Sequence, residues 1–317
     1  MDSLPGVAIV GTVTFDLITR VTSMPTFGAL QPVAAVASSV GGAPGNSGMI
    51  LARLGVPTFV GGRIGDDHFG RFVHTELAAA CDVSGVIVTP SGSTSVTLVM
   101  VDPDGERGFL YHSGLNATYD ACDVSVSQLA AAGVRHLHVA YTTLLPAFSG
   151  ASLQGLFRSA HEAGMTTSID VTWDPSAAWL TPLGSALAEV DLFAPNREEA
   201  LAITGRSTVP DAAAALLDLG MRETVVVTLD AGGSYTLGRD GDSFYSSATP
   251  VTVVDSTGAG DAFLAGWFAG RAHGLGLRDA IAVANATAAC AVTTSRACDG
   301  VSSWAQVTAL AAGVAHS

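Results

Sequence analysis

The chain has 317 residues, 48% of them hydrophobic and 13% charged, with a formal net charge of -14. All 14 basic residues are arginine, which excludes a GxxxxGK[ST] phosphate loop and any Schiff-base lysine. The acidic balance without a basic cluster argues against nucleic acid or an anionic membrane surface as a partner.

No apolar run is long enough to span a bilayer, and no basic, then apolar leader opens the chain. Cys81, Cys122, Cys290 and Cys298 are scattered and form no CxxC pair, which predicts reduced thiols and a cytoplasmic location. The length suits a sizeable α/β core.

Val7 to Gly11 reads as a short buried strand that continues towards Asp16, and Asp16 is expected at its end. Residues 17–24 and 30–38 partly alternate, as half-exposed antiparallel strands do. The turn cluster Gly41-Gly-Ala-Pro-Gly-Asn46 leads into a helix over 47–54, closed by Gly55 and Pro57. A strand at 58–62, a turn and cap at 65–67, a helix over 69–80 and a strand at 85–89 give the βαβ rhythm of a parallel sheet. The pattern then changes: 94–101 and 107–112 flank Asp102-Pro-Asp-Gly105, a hairpin turn. With the earlier antiparallel stretch this predicts a small second sheet, built from insertions at about 15–40 and 92–114, on one domain spanning 1–317.

From residue 125 the βα alternation resumes. Strands are expected at 136–140, 166–170, 192–194 and 224–229, and a hairpin at 234–246. Helices are expected around Leu153 to Ala160, over 197–204 after Pro195-Asn196, over 211–219, over 277–293 and from Trp304.

Between the last two strands and the helix at 277 lies VVDSTGAGDAFLAGWFA, residues 253–269. An apolar strand-like run ends at Asp255, a small-residue turn follows, and Asp261 opens an alanine-rich helix. Such a helix start is an anion site, because its first N–H groups lack partners and the helix dipole favours negative charge there. A carboxylate at its mouth repels a phosphate unless it has a task needing a charge or a proton acceptor. The fragment lacks the third glycine of a dinucleotide fingerprint. His136 and His138 share a strand face without a third ligand and read as structural.

Asp255-Ser-Thr-Gly-Ala-Gly-Asp261 resembles the DTxGAGD pattern of the phosphofructokinase B (PfkB), ribokinase-like carbohydrate kinases. Gly41-Gly42 with Asn46, then Leu54-Gly55, Gly65-Asp66 and Gly70, resembles their N-terminal motif, and Asn196 with Glu199 fits their NxxE. The resemblance implies a three-layer α/β/α fold, a mostly parallel sheet, a small β lid, and ATP-dependent phosphorylation of a hydroxyl. It implies Asp261 as general base, with the amides of Gly258, Ala259, Gly260 and Asp261 as anion hole. It places Asn196 and Glu199 near Mg²⁺, and Asp255 and Thr257 near a monovalent cation, commonly potassium. Asp16, Gly41, Gly42, Asn46 and Asn116 fall on the acceptor side, with Tyr141 and Asp170 at strand ends near the acceptor pocket. Thr228, Gly233 and Asn285 fall on the nucleotide side.

The departures concern the acceptor. Ala43 and Tyr141 stand where ribokinases carry lysine and glutamate, and Asp170-Val-Thr-Trp-Asp174 lacks the arginine of a DxNxR segment. Neither ribose, fructose nor an acidic sugar is therefore favoured, and Asp170, Trp173 and Asp174 at a strand end near the expected acceptor pocket point to a neutral polyhydroxylated acceptor. A nucleoside acceptor, with Phe15, Phe109 and Tyr111 near the base, is the second reading, and a non-catalytic sugar or nucleotide sensor the third. The lid's exposed face is expected to form a homodimer.

Overall fold

The computed structural model describes residues 4–24, 26–28, 30–103, 106–148, 150–174 and 176–317. In chain order its strands are β1 (Gly6–Gly11), β2 (Thr14–Arg20), β3 (Val36–Gly41), β4 (Thr58–Gly65), β5 (Asp82–Thr89), β6 (Val96–Val101) and β7 (Arg107–His112). They continue with β8 (Val134–Ala140), β9 (Thr166–Ile169), β10 (Leu192–Phe193), β11 (Thr224–Thr228), β12 (Ser234–Gly238) and β13 (Ser243–Ser246). The helices are α1 (Met49–Arg53), α2 (His68–Ala78), α3 (Val126–Ala131), α4 (Gly150–Glu162) and α5 (Arg197–Thr204). Then come α6 (Val209–Asp218), α7 (Ala259–Ala272), α8 (Leu277–Ala291), α9 (Ala297–Gly300) and α10 (Trp304–Ala311).

The body is a nine-stranded sheet in the order β13-β12-β11-β10-β9-β8-β1-β4-β5. From β11 to β5 the pairs are parallel, and the β12/β13 hairpin is antiparallel. Strand β1 is buried along its whole length, as a doubly covered central strand requires. One face packs on α4, α6 and their neighbours through Leu153, Phe157, Leu216 and Phe193, the other on α1, α7 and α8 through Ile50, Phe263, Phe268 and Ile281. The smaller sheet, in the order β3-β2-β6-β7, joins the body through Val13, Phe15 and Val40, which pack on Ile64, Val73 and Leu77. This is the fold class expected from the resemblance. No helix among the described residues is long and apolar enough to cross a membrane.

Several local expectations change. Asp16 does not end a strand but sits third in β2, opposite Ser39 of β3 and Thr97 of β6. Strand β3 begins only at Val36, because residues 30–35 find no ladder partner. The helix expected at 47 starts earlier, as one π turn over Pro44–Gly48 that runs into α1. The apolar run before Asp255 is not a strand: Val253 and Val254 are 61% and 56% exposed, and the N–H groups of Val254 and Asp255 converge on the Val292 carbonyl. Helix α3 and a 3₁₀ segment over Thr181–Glu189 lack a strong apolar period and were not expected. Residues 104 and 105 of the expected hairpin turn lie outside the described residues.

Candidate active site

Parallel strands leave their C-terminal ends at one edge of the sheet, where loops collect side chains from distant parts of the chain. Helix α7 starts at that edge. Its N-cap, Gly258, has φ +74°, which a glycine adopts without steric cost, and offers no side-chain cap. The N–H groups of Gly258, Gly260 and Asp261 have no partner among the described residues, whereas that of Ala259 donates to Ser256 O at 3.2 Å. Unpaired amides at a helix start, with the helix dipole behind them, suit an anion.

Asp261, third in α7, is 4% exposed. Its Oδ2 accepts from Asn46 Nδ2 at 2.8 Å and from the Tyr141 hydroxyl at 2.6 Å. The Ser47 hydroxyl lies 3.0 Å from the Asp261 carbonyl and 3.3 Å from Oδ1. Asn46 and Ser47 reach this place because the π turn carries them past β1 and against α7. Burial, then the charge of Asp170, pushes the Asp261 carboxyl up to about 6, against the hydrogen bonds from Tyr141 and Asn46.

Tyr141 follows β8 with φ +55° and ψ +47°, a left-handed conformation that costs a non-glycine residue about 1–2 kcal/mol. Its N–H donates to Asp170 Oδ1 just past β9, and Asp170 Oδ2 lies 3.7 Å from His138 Nε2. Burial, then the charges of Asp261 and Asp170, holds the Tyr141 phenol well above its usual range, so it is a proton donor to Asp261. Asn46, Tyr141, Asp170 and Asp261 thus form one cluster, joined by Ser47.

Asp16 lies beside this cluster. Thr14 Oγ1 donates to its Oδ1 at 2.7 Å, and burial raises its carboxyl against bonds from Thr14 and Thr97. A Cβ at Gly41 would overlap the Asp16 carboxylate, and one at Gly42, φ +74°, would overlap the Thr12 carbonyl. Only glycines let this turn close on β2. Asn116 stands apart: it is fully buried, accepts from Val13 N at 3.3 Å and donates to Val13 O at 3.0 Å. It fastens the link between β1 and β2, with only a 3.4 Å contact to the Tyr111 hydroxyl of β7.

Asn196 and Glu199 cap α5 reciprocally. Glu199 N–H donates to Asn196 Oδ1 at 2.8 Å, and Asn196 N–H donates to Glu199 Oε2 at 3.0 Å. Burial first, then the charges of Asp170 and Glu198, raises Glu199 to about 7 against the Asn196 N–H bond. Asn196 also bridges to Thr228, at the end of β11. Gly233, φ +89°, follows, and its Cβ would overlap Ser246 O. Asn285 is 5% exposed in α8 and donates to Ser234 Oγ at 3.1 Å, so its amide is engaged within the fold.

Asp255 carries a partner that sequence reading missed. Arg107 of β7 pairs with its Oδ2, while the Thr257 N–H donates to Oδ1 at 2.9 Å. Ser47 was missed too, although its place after Asn46 in the small-residue turn was a usable signal. A hollow of about 340 Å³ lined by Arg135, His136, Trp267 and Arg271 lies at the opposite edge of the sheet, away from this chemistry.

The profile described as pfkB family carbohydrate kinase matches residues 5–304. A fructokinase of Klebsiella pneumoniae is 33% identical over 243 residues, 74% of this chain and 78% of its own length. An aminoimidazole riboside kinase of Salmonella typhimurium is 32% identical over 270 residues, 80% and 82% of the two chains. Among solved structures, an E. coli ribokinase II in complex with ATP and Mg²⁺ superposes with a TM-score of 0.80 at 25% identity, covering 97% of this chain and 99% of that one. A match over nearly the whole length, with the Asp255 to Asp261 motif at one helix start and the Gly41 to Asn46 turn against it, makes this chain a member of the pfkB family of carbohydrate kinases.

Proposed function

We propose that the chain is an ATP-dependent kinase that phosphorylates a hydroxyl of a small neutral sugar or polyol. One observation carries the reading: the buried Asp261 carboxylate stands at a helix start where the N–H groups of Gly258, Gly260 and Asp261 have no partner among the described residues. The acceptor hydroxyl gives its proton to Asp261 as its oxygen bonds to the γ-phosphorus of ATP. The bond to the bridging oxygen breaks, and its electron pair leaves on ADP. The amides of Gly258, Gly260 and Asp261 face the transferring phosphoryl group, and Asn46 and Ser47 keep the base aimed. Positioning and charge stabilisation dominate such a transfer. Asp16, Gly41, Gly42 and Asp170 receive the acceptor. Thr228 and Gly233 line the nucleotide side, and Asn285 supports it from within the fold through Ser234.

Glu199 and Asn196 fit a hydrated Mg²⁺ held chiefly by the ATP phosphates, since the raised Glu199 and its acidic neighbours form a region that a cation relieves. Among the described residues no group of three His, Cys, Asp or Glu gathers closely enough to hold a metal alone. When bound, the ion offsets phosphate charge. Potassium fits less well: both Asp255 oxygens are engaged, one by a guanidinium. We assign that ion no part in the transfer.

Against a nucleoside acceptor, Phe15 is occupied in the core, with its ring 4.7 Å from Phe69 and 5.2 Å from Phe72. Asn116 acts from behind the acceptor site, through Val13. The exposed apolar lid residues Leu98, Phe109 and Leu110 support a homodimer, and the free cysteines suit a reducing cytoplasm. ADP release from Mg²⁺-ATP, measured against ketoses, aldoses, polyols, inositols and nucleosides, tests the function. Stimulation by a sugar or polyol is expected. Stimulation by nucleosides alone would select the second reading, and binding without turnover would leave only a sensor.

A further inference from the structure

The Tyr141 hydroxyl lies on the carboxylate that the proposed transfer uses as its base. It donates at 2.6 Å to the same Oδ2 that Asn46 holds at 2.8 Å. A carboxylate oxygen already accepting two hydrogen bonds has little room for a third donor in the direction of attack. The contact is built rather than incidental. Tyr141 adopts a left-handed backbone, its N–H is tied to Asp170, the next N–H, that of Thr142, donates to the Asp170 carbonyl at 3.2 Å, and its ring packs on the core cluster around α7. Left-handed conformations in non-glycine residues persist where the surroundings over-determine them, commonly at working sites.

We propose that Tyr141 is a positioning residue that caps the catalytic base until an acceptor displaces it, so that water is not activated against ATP. This inference rests on the kinase reading and assigns the residue its own task within it. Without the cap, a water molecule would lose its proton to Asp261 while its oxygen bonds to the γ-phosphorus. The bridging P–O bond would break with its electron pair going to ADP, giving ADP and inorganic phosphate. With the cap in place, Asp261 is engaged and Asn46 and Ser47 still hold it. An acceptor hydroxyl anchored by Asp16 and Asp170 competes successfully because its other hydroxyls bind at the same time, whereas a lone water has no such help. The cap therefore favours acceptors with several hydroxyls over water and small monohydric alcohols.

The test is ADP and phosphate release from Mg²⁺-ATP by the full chain without acceptor, beside sugar phosphorylation with D-fructose, D-ribose, myo-inositol and adenosine as probes. Tyr141→Phe keeps the ring and removes the hydroxyl. Tyr141→Asn, a residue that tolerates the left-handed conformation, covers the case in which the phenylalanine variant folds poorly. Losing a hydrogen bond to a charged group should raise acceptor-independent hydrolysis about tenfold or more and lower the acceptor KM, with the KM for ATP unchanged. Adding Asp261→Asn should cancel the gain. Hydrolysis at the wild-type rate in both variants, or a raised acceptor KM with hydrolysis unchanged, would make Tyr141 an ordinary binding or packing residue and overturn the proposal. A wild-type chain that phosphorylates none of the probes would instead refute the kinase reading on which it rests.

Discussion

Arg107 of lid strand β7 holds Asp255 at the root of the Gly258 turn, 148 residues further along the chain. Their side chains are 13% and 11% exposed, so the charge of Asp255 is met by the lid itself rather than by solvent. The position of the smaller sheet and the geometry of the turn are thereby linked. Arg107→Ala should leave a nearly buried carboxylate unpaired, at a cost of up to about 3 kcal/mol of stability. Wild-type turnover should be equal in potassium and tetramethylammonium buffers, and potassium should stimulate only the variant. Strong potassium activation of the wild type in steady-state assays would return the cation to the mechanism.

Asp261→Asn should retain ATP binding and lose about 10² to 10⁴-fold in turnover, the usual contribution of a positioned general base. Because the base must be ionised, wild-type kcat/KM should fall as pH drops through about 6, the value to which burial and Asp170 raise this carboxyl. A profile flat down to pH 5, or an asparagine variant with near wild-type turnover, would remove Asp261 from that role.

The same variant should be the more stable protein at neutral pH. The folded chain holds the Asp261 proton more tightly than the unfolded chain, with a value of about 6 against an ordinary 3.8. Folding therefore favours the protonated form, and this group's contribution is present below about 3.8 and lost as pH rises through about 6. Two pKa units correspond to about 3 kcal/mol, so the thermal midpoint of Asp261→Asn should exceed wild type at pH 8 and approach it at pH 4. Equal midpoints at both pH values would show that the carboxylate is not destabilising where it sits.

Asp16→Ala should raise the acceptor KM well above any change in that for ATP, because its carboxylate faces the glycine turn of the acceptor side. Burial raises its carboxyl, so binding through an ionised Asp16 should also weaken in acid. Equal effects on both substrates in initial-rate measurements would take Asp16 out of the acceptor site.

Local chemistry was legible wherever a short segment determines its own structure. Asn196 and Glu199 cap α5 as the three-residue spacing requires, and the glycines at 41, 42 and 258 stand where close approach or positive φ excludes a Cβ. The apolar periods of α4 and α6, and the β-branched run of β11, also declared themselves. Val253 and Val254 misled because apolar character predicts burial only if a neighbouring strand is available, and none pairs with them among the described residues.

The contacts between distant segments were decided by tertiary structure. Nothing in the order of residues says that Tyr141 will turn left-handed and lay its hydroxyl on Asp261, that Arg107 will neutralise Asp255, or that Asn116 will spend its amide on Val13. Those pairings depend on where strand ends converge and which carboxylate lies within reach, and that is settled only when the two sheets have packed on one another. The sequence by itself determined the family and the glycine turns and marked Asp261 as the candidate base, since each rests on a local spacing of residue types. How the Asp261 carboxylate is held, and which charges face it, follows from packing across 100 residues or more, such as the 120 between Tyr141 and Asp261.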